Sequence, residues 1–225
     1  MIGRNYFLAL VVAAFFLLST PASAGVLYNN GTINGNIGTW DISYGNIISD
    51  SFVLTAESTL SEVDLGIWIH PTTGDAPSYL KWRIGDSVPD PTLGPIGDTA
   101  NLTNSLLCSS SNTCGGNAFD VYASSFSLPN IVLGPGTYYL TLDFGVTSLG
   151  DSLFWDVNNG PSAAYRNGVN MAGSIQMTSG SNSNAFQILG TSDETPTGVP
   201  EPASVAMLLS GLALVSGLAR RKMRA

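Results

Sequence analysis

Three aspartates in one stretch of the 225-residue sequence, Asp143, Asp151 and Asp156, are the side chains best suited to catalysis. Two carboxylates can share the acid and base work of glycoside hydrolysis. Trp155 stands beside Asp156, where an aromatic ring could stack on a sugar. Aspartates also cap turns and keep the surfaces of sheets soluble. A secreted glycoside hydrolase is therefore one alternative, and a structural role for the three carboxylates is the other.

The segment around Asp156 also holds candidate calcium ligands. Asp151, Asp156, Asn158 and Asn159 offer the hard oxygen atoms that calcium prefers in proteins. Their spacing differs from that of an EF-hand loop, and turn formation alone explains the run from Asn158 to Gly160. No cofactor is expected, and calcium stays open as a ligand of this segment.

Four tryptophans are many for a chain of this size: Trp40, Trp68, Trp82 and Trp155. Trp68 falls opposite the apolar face of a strand-like alternation, so its ring is expected to point outward. Such an indole, like that of Trp155, could stack on a sugar ring, or it could pack under a loop. A calcium-dependent carbohydrate-binding module is therefore a second alternative, although sandwich folds host many functions.

His70 is the single histidine, and its place at a strand end before Pro71 is typical of a surface loop. A catalytic histidine needs a nucleophile and an orienting carboxylate beside it. The sequence holds no nucleophile elbow, phosphate-binding loop, dinucleotide fingerprint or zinc-ligand motif. We therefore expect a protein that is not an enzyme.

The elements that must position these residues are β-strands. The body of the chain is rich in Ser, Thr, Asn and Gly, with recurring aromatic and β-branched residues and no helical periodicity. The clearest alternation places Val63, Leu65, Ile67 and Ile69 on one face. Similar patterns predict about nine strands, at residues 47–55, 60–69, 79–84, 99–107, 118–128, 137–144, 152–157, 174–178 and 185–189. Residues 85–97 read as a long loop and residues 179–184 as a polar hairpin loop. These elements predict an all-β fold, an antiparallel, jelly-roll-like β-sandwich over residues 25–190.

The two cysteines, Cys108 and Cys114, enclose a short polar loop. An exported chain meets an oxidising environment, so we expect a disulfide between them. A metal site would need further Cys or His ligands nearby.

The N-terminus predicts export. Arg4 precedes an apolar run at residues 6–18, and Ala22 and Ala24 form an A-x-A cleavage site. The run is short for a membrane span, so residues 1–24 are expected to be a signal peptide. Cleavage after Ala24 would leave Gly25 as the mature N-terminus. The Sec translocon and signal peptidase are the partners that this implies.

The charge of the exported part excludes some partners. Residues 25–201 carry 16 acidic and three basic side chains, a net charge of −13 with His70 neutral. Nucleic-acid binding relies on Lys and Arg to displace counterions, so no nucleic acid is expected as a partner. Anionic lipid is disfavoured for the same reason.

The C-terminus carries three features in series after a linker at residues 191–198. Pro200, Glu201 and Pro202 come first, an uncharged run follows at residues 203–219, and the chain ends in a basic cluster. As a helix the run spans roughly 25 Å, close to the thickness of a bilayer core. The cluster of Arg220, Arg221 and Lys222 predicts that the end lies in the cytoplasm. A single transmembrane helix over residues 203–219 is therefore expected.

This arrangement at residues 199–225 resembles the PEP-CTERM sorting signal of Gram-negative bacteria. The resemblance implies recognition by an exosortase-type processing enzyme, which would cut at or near the Pro200-Glu201-Pro202 tripeptide and remove the tail. It implies export across the inner membrane, transient anchoring there, and a final place at the cell surface or outside the cell. It also implies a species that makes extracellular polysaccharide, which is then a further possible partner.

A second resemblance covers most of residues 45–190. Segments 51–54, 66–68, 119–122, 136–140 and 154–162 look like a recurrent exported domain that travels with such anchors and has no assigned activity. We therefore expect a non-enzymatic structural role, or one associated with exopolysaccharide and biofilm. The carbohydrate-binding module and the glycoside hydrolase remain the alternatives.

Overall fold

The computed structural model describes residues 24–88, 96–111, 119–167, 178–179 and 182–193. The predicted signal peptide up to Ser23, the sorting signal with its helix and basic tail, and Cys114 lie outside these residues. Within the described ranges, no helix has the length and apolar character to cross a bilayer.

The described residues form fourteen strands joined by turns. The strands are β1 Gly25–Asn29, β2 Gly38–Asp41, β3 Ile47–Leu54, β4 Ser58–Ile69, β5 Pro77–Gly85, β6 Ile96–Asn101, β7 Thr103–Cys108, β8 Asp120–Leu133, β9 Gly136–Thr147, β10 Phe154–Asn158, β11 Ala164–Asn167, β12 Thr178–Ser179, β13 Ser183–Asn184 and β14 Phe186–Ser192.

Two antiparallel sheets contain all of these strands. In the first sheet, β4 pairs with β8 along one edge and with β14 and then β10 along the other. Beyond these, β7 pairs with β8, β1 with β14, and β2 and β13 with β10. The second sheet has the order β12-β11-β3-β9-β5-β6. The prediction of an all-β fold with antiparallel sheets is confirmed.

The core lies between the inner faces of the two sheets. The predicted apolar face of β4 is fully buried, with Val63, Leu65 and Ile67 at 0% exposure. They belong to one cluster with Phe52 of β3 and Leu140 of β9 from the second sheet. Each such side chain stabilises the fold by about 1.5–3 kcal/mol through the apolar area that it removes from water.

The weak strand predicted over residues 99–107 is two strands. β6 pairs with β5 in the second sheet, whereas β7 pairs with β8 in the first. The chain changes sheet at Leu102, whose N–H donates to the carbonyl of Ser78 at 2.8 Å. Alternation shows which side a residue faces but not which sheet its strand joins, so the sequence did not reveal this crossing.

Several predicted boundaries differ from the structure. β8 continues past residue 128 through Pro129, and Asn130 takes a positive φ of 53° there. The predicted hairpin loop at residues 179–184 ends in β13, where Asn184 is fully buried. β14 continues to Ser192, two residues into the predicted linker. In the last two cases long-range pairing orders a polar segment that has no apolar pattern of its own.

Candidate functional site

The structure buries both tryptophans that were considered for sugar stacking. Trp68 is 1% exposed and Trp155 is 0% exposed. Trp68 points outward from β4, as predicted, but Phe119 covers it with its ring centroid 5.5 Å away. Trp155 faces the core, and its Nε1 donates to the carbonyl of Ala185 at 3.0 Å. Of the two alternatives left open for these rings, sugar stacking and packing within the fold, their burial supports packing, because neither ring has an exposed face.

Asp156 is the centre of a buried hydrogen-bond network. Its Oδ1 accepts hydrogen bonds from Trp68 Nε1 at 2.7 Å and from the Gly35 N–H at 3.3 Å, and its Oδ2 accepts one from the Asn34 N–H at 2.9 Å. Gly35 has a φ of 63°, a left-handed conformation that lets successive N–H groups converge on one anion. The carboxylate therefore fastens the segment at residues 31–37 to the outer side of the first sheet.

Burial raises the pKa of Asp156 to about 6, although hydrogen bonds from Asn34, Trp68 and Gly35 act in the lowering direction. A water-free site disfavours the charged form, whereas three N–H donors favour it. At neutral pH the group is a buried carboxylate that has a donor on each oxygen.

Gly66 makes room for this arrangement. A Cβ at position 66 would lie 2.7 Å from the Cβ of Asp156 and 2.9 Å from Cγ2 of Ile33. Both distances are shorter than carbon atoms tolerate, so a larger residue would displace the 31–37 segment from the sheet. This explains why a glycine stands in the middle of a strongly alternating strand.

The other predicted calcium ligands have different surroundings. Asn158 is 3% exposed, and its side chain donates to the carbonyl of Asn30 at 2.7 Å and accepts from Ser183 Oγ at 2.6 Å. Asp151 is exposed in the turn after β9, and Asn159 is also exposed. Asp156 and Asn158 thus use their oxygens in separate protein networks. No group of three or more His, Cys, Asp or Glu that could hold a metal occurs among the described residues. Calcium binding stays a prediction.

Asp143 and Asp156 lie on opposite sides of the sandwich. Asp143 follows the inward-facing Leu142 on β9 of the second sheet, and Asp156 follows the inward-facing Trp155 on β10 of the first. Successive side chains of a strand point to opposite faces, so each carboxylate belongs to the outer face of its own sheet. They cannot flank one glycosidic bond as the two carboxylates of a hydrolase do.

Asp143 is part of an ion pair with Arg83 of the neighbouring strand β5. Its side chain is 1% exposed, whereas that of Arg83 is 22% exposed. Burial raises the pKa of Asp143, and the positive charges of Arg83 and Lys81 act against this rise. His70 is exposed at the end of β4, with its ring centroid 4.6 Å from that of Phe119.

A second buried network, around Asp50, was not predicted. Asp50 lies on β3 with no exposed surface and accepts hydrogen bonds from the Asn184 N–H at 2.6 Å, from Asn30 Nδ2 at 3.1 Å and from Ser162 Oγ. Burial raises its pKa to about 6, although hydrogen bonds from Ser162 and Asn184 lower it. The network joins the second sheet to β13 of the first. The sequence did contain a signal for the burial of Asp50, because a charged residue on the same strand face as Ile48 and Phe52 must lie in the core.

A groove crosses the outer face of the first sheet. Thr103, Ser125, Asp64 and Gln187 lie directly opposite one another on β7, β8, β4 and β14, so they form one row. They line a cavity of about 520 Å³, whose other wall includes Gly31, Thr32 and Ile33 of the 31–37 segment. Alternation along β4 puts Asp64 on the face opposite Val63 and Leu65, whereas the other members of the row are defined by strand register.

Cys108 ends β7, and its predicted partner Cys114 lies outside the described residues, so the disulfide stays a prediction. The signal-peptide cleavage at Ala22, Ala24 and Gly25 likewise stays a prediction.

The C-terminal segment, unlike the described strands, matches a known family of sequences. Residues 198–224 match the PEP-CTERM protein-sorting motif. The protein carries an exosortase sorting signal. The matched residues include Pro200, Glu201 and Pro202 as well as the basic cluster, so the resemblance noted in the sequence is confirmed. The PEP-CTERM motif is typical of exported proteins of Gram-negative bacteria and indicates an exosortase-sorted extracellular protein. None of the curated proteins matches the chain.

Proposed function

We propose that the protein is a non-enzymatic component of the cell surface or of the exopolysaccharide and biofilm matrix. The Sec translocon exports it, and signal peptidase cleaves it after Ala24. The apolar run at residues 203–219 then holds it in the inner membrane until an exosortase cuts near Pro200-Glu201-Pro202. The processed sandwich remains at the cell surface or outside the cell.

The match of residues 198–224 to the sorting motif is the observation that carries this proposal. Removal of the tail also removes four of the eight basic residues of the chain, which leaves a strongly acidic protein. Such a surface is soluble outside the cell and disfavours nucleic acid.

The contacts of the buried carboxylates support the proposal that the protein is not an enzyme. Asp156 holds the 31–37 segment, Asp50 joins the two sheets, and Asp143 pairs with Arg83. Each has a structural partner for its charge, and Asp143 and Asp156 face opposite sides of the molecule. This is the pattern of groups that stabilise a fold rather than groups kept free for a substrate.

Cell fractionation in a Gram-negative host that has an exosortase tests the proposal. The tagged wild-type protein should reach the surface or matrix fraction with its tail removed. A variant with Pro200→Ala and Pro202→Ala should stay in the inner membrane with its full mass. The matched control Thr195→Ala, outside the motif, should behave as wild type. Equal processing of all three proteins would contradict the sorting scheme.

A second arm of the experiment uses a host strain that cannot make exopolysaccharide. In that strain the processed protein should move from the matrix fraction to the medium. An unchanged distribution would argue against a matrix role. Release of reducing sugar from a polysaccharide panel by the purified protein would refute the claim that it is not an enzyme.

A further inference from the structure

The groove on the outer face of the first sheet differs from the buried polar clusters of the sandwich in one respect. Buried polar side chains such as Asp50, Asn158 and Asp156 are engaged in internal hydrogen bonds. By contrast, the side chains of the groove row have no hydrogen-bond partner within the described part of the chain. The members of that row are Thr103, Ser125, Asp64 and Gln187.

The row is therefore a line of free donors and acceptors at fixed spacing. Neighbouring strands lie about 4.8 Å apart, so the four side chains span roughly 14 Å across the sheet. Two hydroxyls, a carboxylate and an amide follow one another along this line, which lets it both donate and accept hydrogen bonds. A row of this length suits several linked sugar rings rather than one.

The shape of the groove is held by structure that has already been described. Ser105 of β7 and Ala123 of β8 lie directly opposite each other beside the first row, and both are small, which leaves space above these two strands. The 31–37 segment forms the wall, and Asp156 fastens it in place. The cavity of about 520 Å³ falls within the range of 300–1,000 Å³ that is usual for ligand sites. The groove is thus formed before a ligand arrives, which lowers the entropy cost of binding.

The charge of the groove selects among ligands. Asp64 is half-buried at its centre, Glu62 lies two residues away on the same face, and no described basic residue forms a salt bridge with Asp64. A sulfated or uronic-acid chain would be repelled, whereas a hydroxyl or an ammonium group would find an acceptor.

We propose that this groove binds a segment of a neutral or amine-bearing polysaccharide. The inference rests on the proposed matrix function and names its ligand class and its site. The sugar hydroxyls hydrogen-bond to Thr103, Ser125 and Gln187, and Asp64 accepts from a hydroxyl or an ammonium group. The contact does not require calcium or an exposed tryptophan.

Titration of oligosaccharides into the exported, processed protein tests the site. The probes are a neutral glucan oligomer, a chitosan oligomer and an alginate oligomer. The variant Ala123→Trp fills the groove from its floor. The matched control Ser127→Trp places the same ring on the same face of β8, where Ser127 is exposed and lies outside the groove. Near-ultraviolet circular dichroism and the melting temperature establish that each variant is folded.

Binding of the glucan or chitosan oligomer supports the proposal if Ala123→Trp raises its Kd by about tenfold or more and Ser127→Trp leaves it unchanged. Asp64→Asn should weaken chitosan binding more than glucan binding, because only the former carries a positive charge. If Ala123→Trp does not fold, Ser125→Ala with Gln187→Ala replaces it and should raise the Kd in the same direction.

Three results would overturn the site. Binding that Ala123→Trp does not alter would place the ligand elsewhere while leaving the matrix function intact. Tighter binding of alginate than of glucan would contradict the charge argument. Failure of both the glucan and the chitosan oligomer to bind would remove the ligand class. If the protein is nonetheless released from cells that lack exopolysaccharide, the proposed function survives without this groove.

Discussion

Replacement of either buried tryptophan by phenylalanine removes one N–H donor, but the two acceptors differ. Trp68 Nε1 donates to the carboxylate of Asp156 at 2.7 Å, whereas Trp155 Nε1 donates to the neutral carbonyl of Ala185 at 3.0 Å. The two indoles are 1% and 0% exposed, so the loss of ring volume should cost both variants a similar amount. The comparison therefore isolates the charge of the acceptor.

The difference can be estimated from the two acceptors. A hydrogen bond to a charged group contributes about 1.5–3 kcal/mol, against about 0.5–1.5 kcal/mol for a neutral pair. At pH 8 Asp156 is ionised, because its pKa is raised only to about 6. We therefore expect Trp68→Phe to lower the free energy of unfolding by about 1–2 kcal/mol more than Trp155→Phe does.

The additional loss of unfolding free energy in Trp68→Phe should disappear in acid. The Trp68 hydrogen bond lowers the pKa of Asp156, so its loss raises that pKa further and destabilises the ionised form alone. At pH 4.5 Asp156 is protonated in both variants and the two losses should become similar. Urea unfolding followed by far-ultraviolet circular dichroism at the two pH values measures both quantities.

Two results would refute this reasoning. Equal losses for Trp68→Phe and Trp155→Phe at pH 8 would mean that the carboxylate contact is no stronger than a neutral one. An excess loss for Trp68→Phe that persists at pH 4.5 would mean that it comes from packing rather than from the charge of Asp156.

Other consequences of the buried groups can be measured in the same way. The folded-state pKa of Asp50 is raised from 3.8 to about 6, so its contribution to stability is complete below pH 4 and is lost as the pH rises through 6. The wild type should gain up to about 3 kcal/mol from this group between pH 7.5 and 4, and Asp50→Asn should flatten that slope in urea titrations. Gly66→Ala should cost about 1–3 kcal/mol through overpacking, whereas Gly134→Ala, with no atom within 4 Å of the new Cβ, should be near neutral in thermal melts. Arg83→Met leaves Asp143 buried without its partner and should lower the melting temperature more than the double variant with Asp143→Leu does; the opposite order would mean that the ion pair itself is strongly stabilising.

Much of the sandwich could be predicted where a strand alternates clearly and one face is buried. The predicted strand at residues 60–69 differs from β4 by two residues at its start, and that at 47–55 differs from β3 by one at its end. The short strands β1, β2 and β13 were missed, because two to five residues carry too little pattern. They are ordered by pairing with β14 and β10, which lie far away in the sequence.

The candidate site was predicted less well than the fold. The sequence indicated Trp68 as outward and Asp156 as a polar residue next to Trp155, and both statements describe the strands correctly. The hydrogen bond between the two side chains could not be predicted from local patterns, because Trp68 and Asp156 are 88 residues apart in the sequence. The groove row likewise depends on the register of four strands, in which a slip of one residue would turn every side chain to the other face.

The sequence by itself determined that the protein carries an exosortase sorting signal and which side of each long strand is buried. A sorting signal is read as a linear segment, so residues 198–224 identify it without a fold. Alternation is also local, because each strand carries its own period of two. Only the tertiary structure decided the chemistry of the polar residues. Burial and partner choice are set by distant segments, and they made Asp156, Asp50 and Asp143 internal anchors while leaving Asp64 free on the outer face.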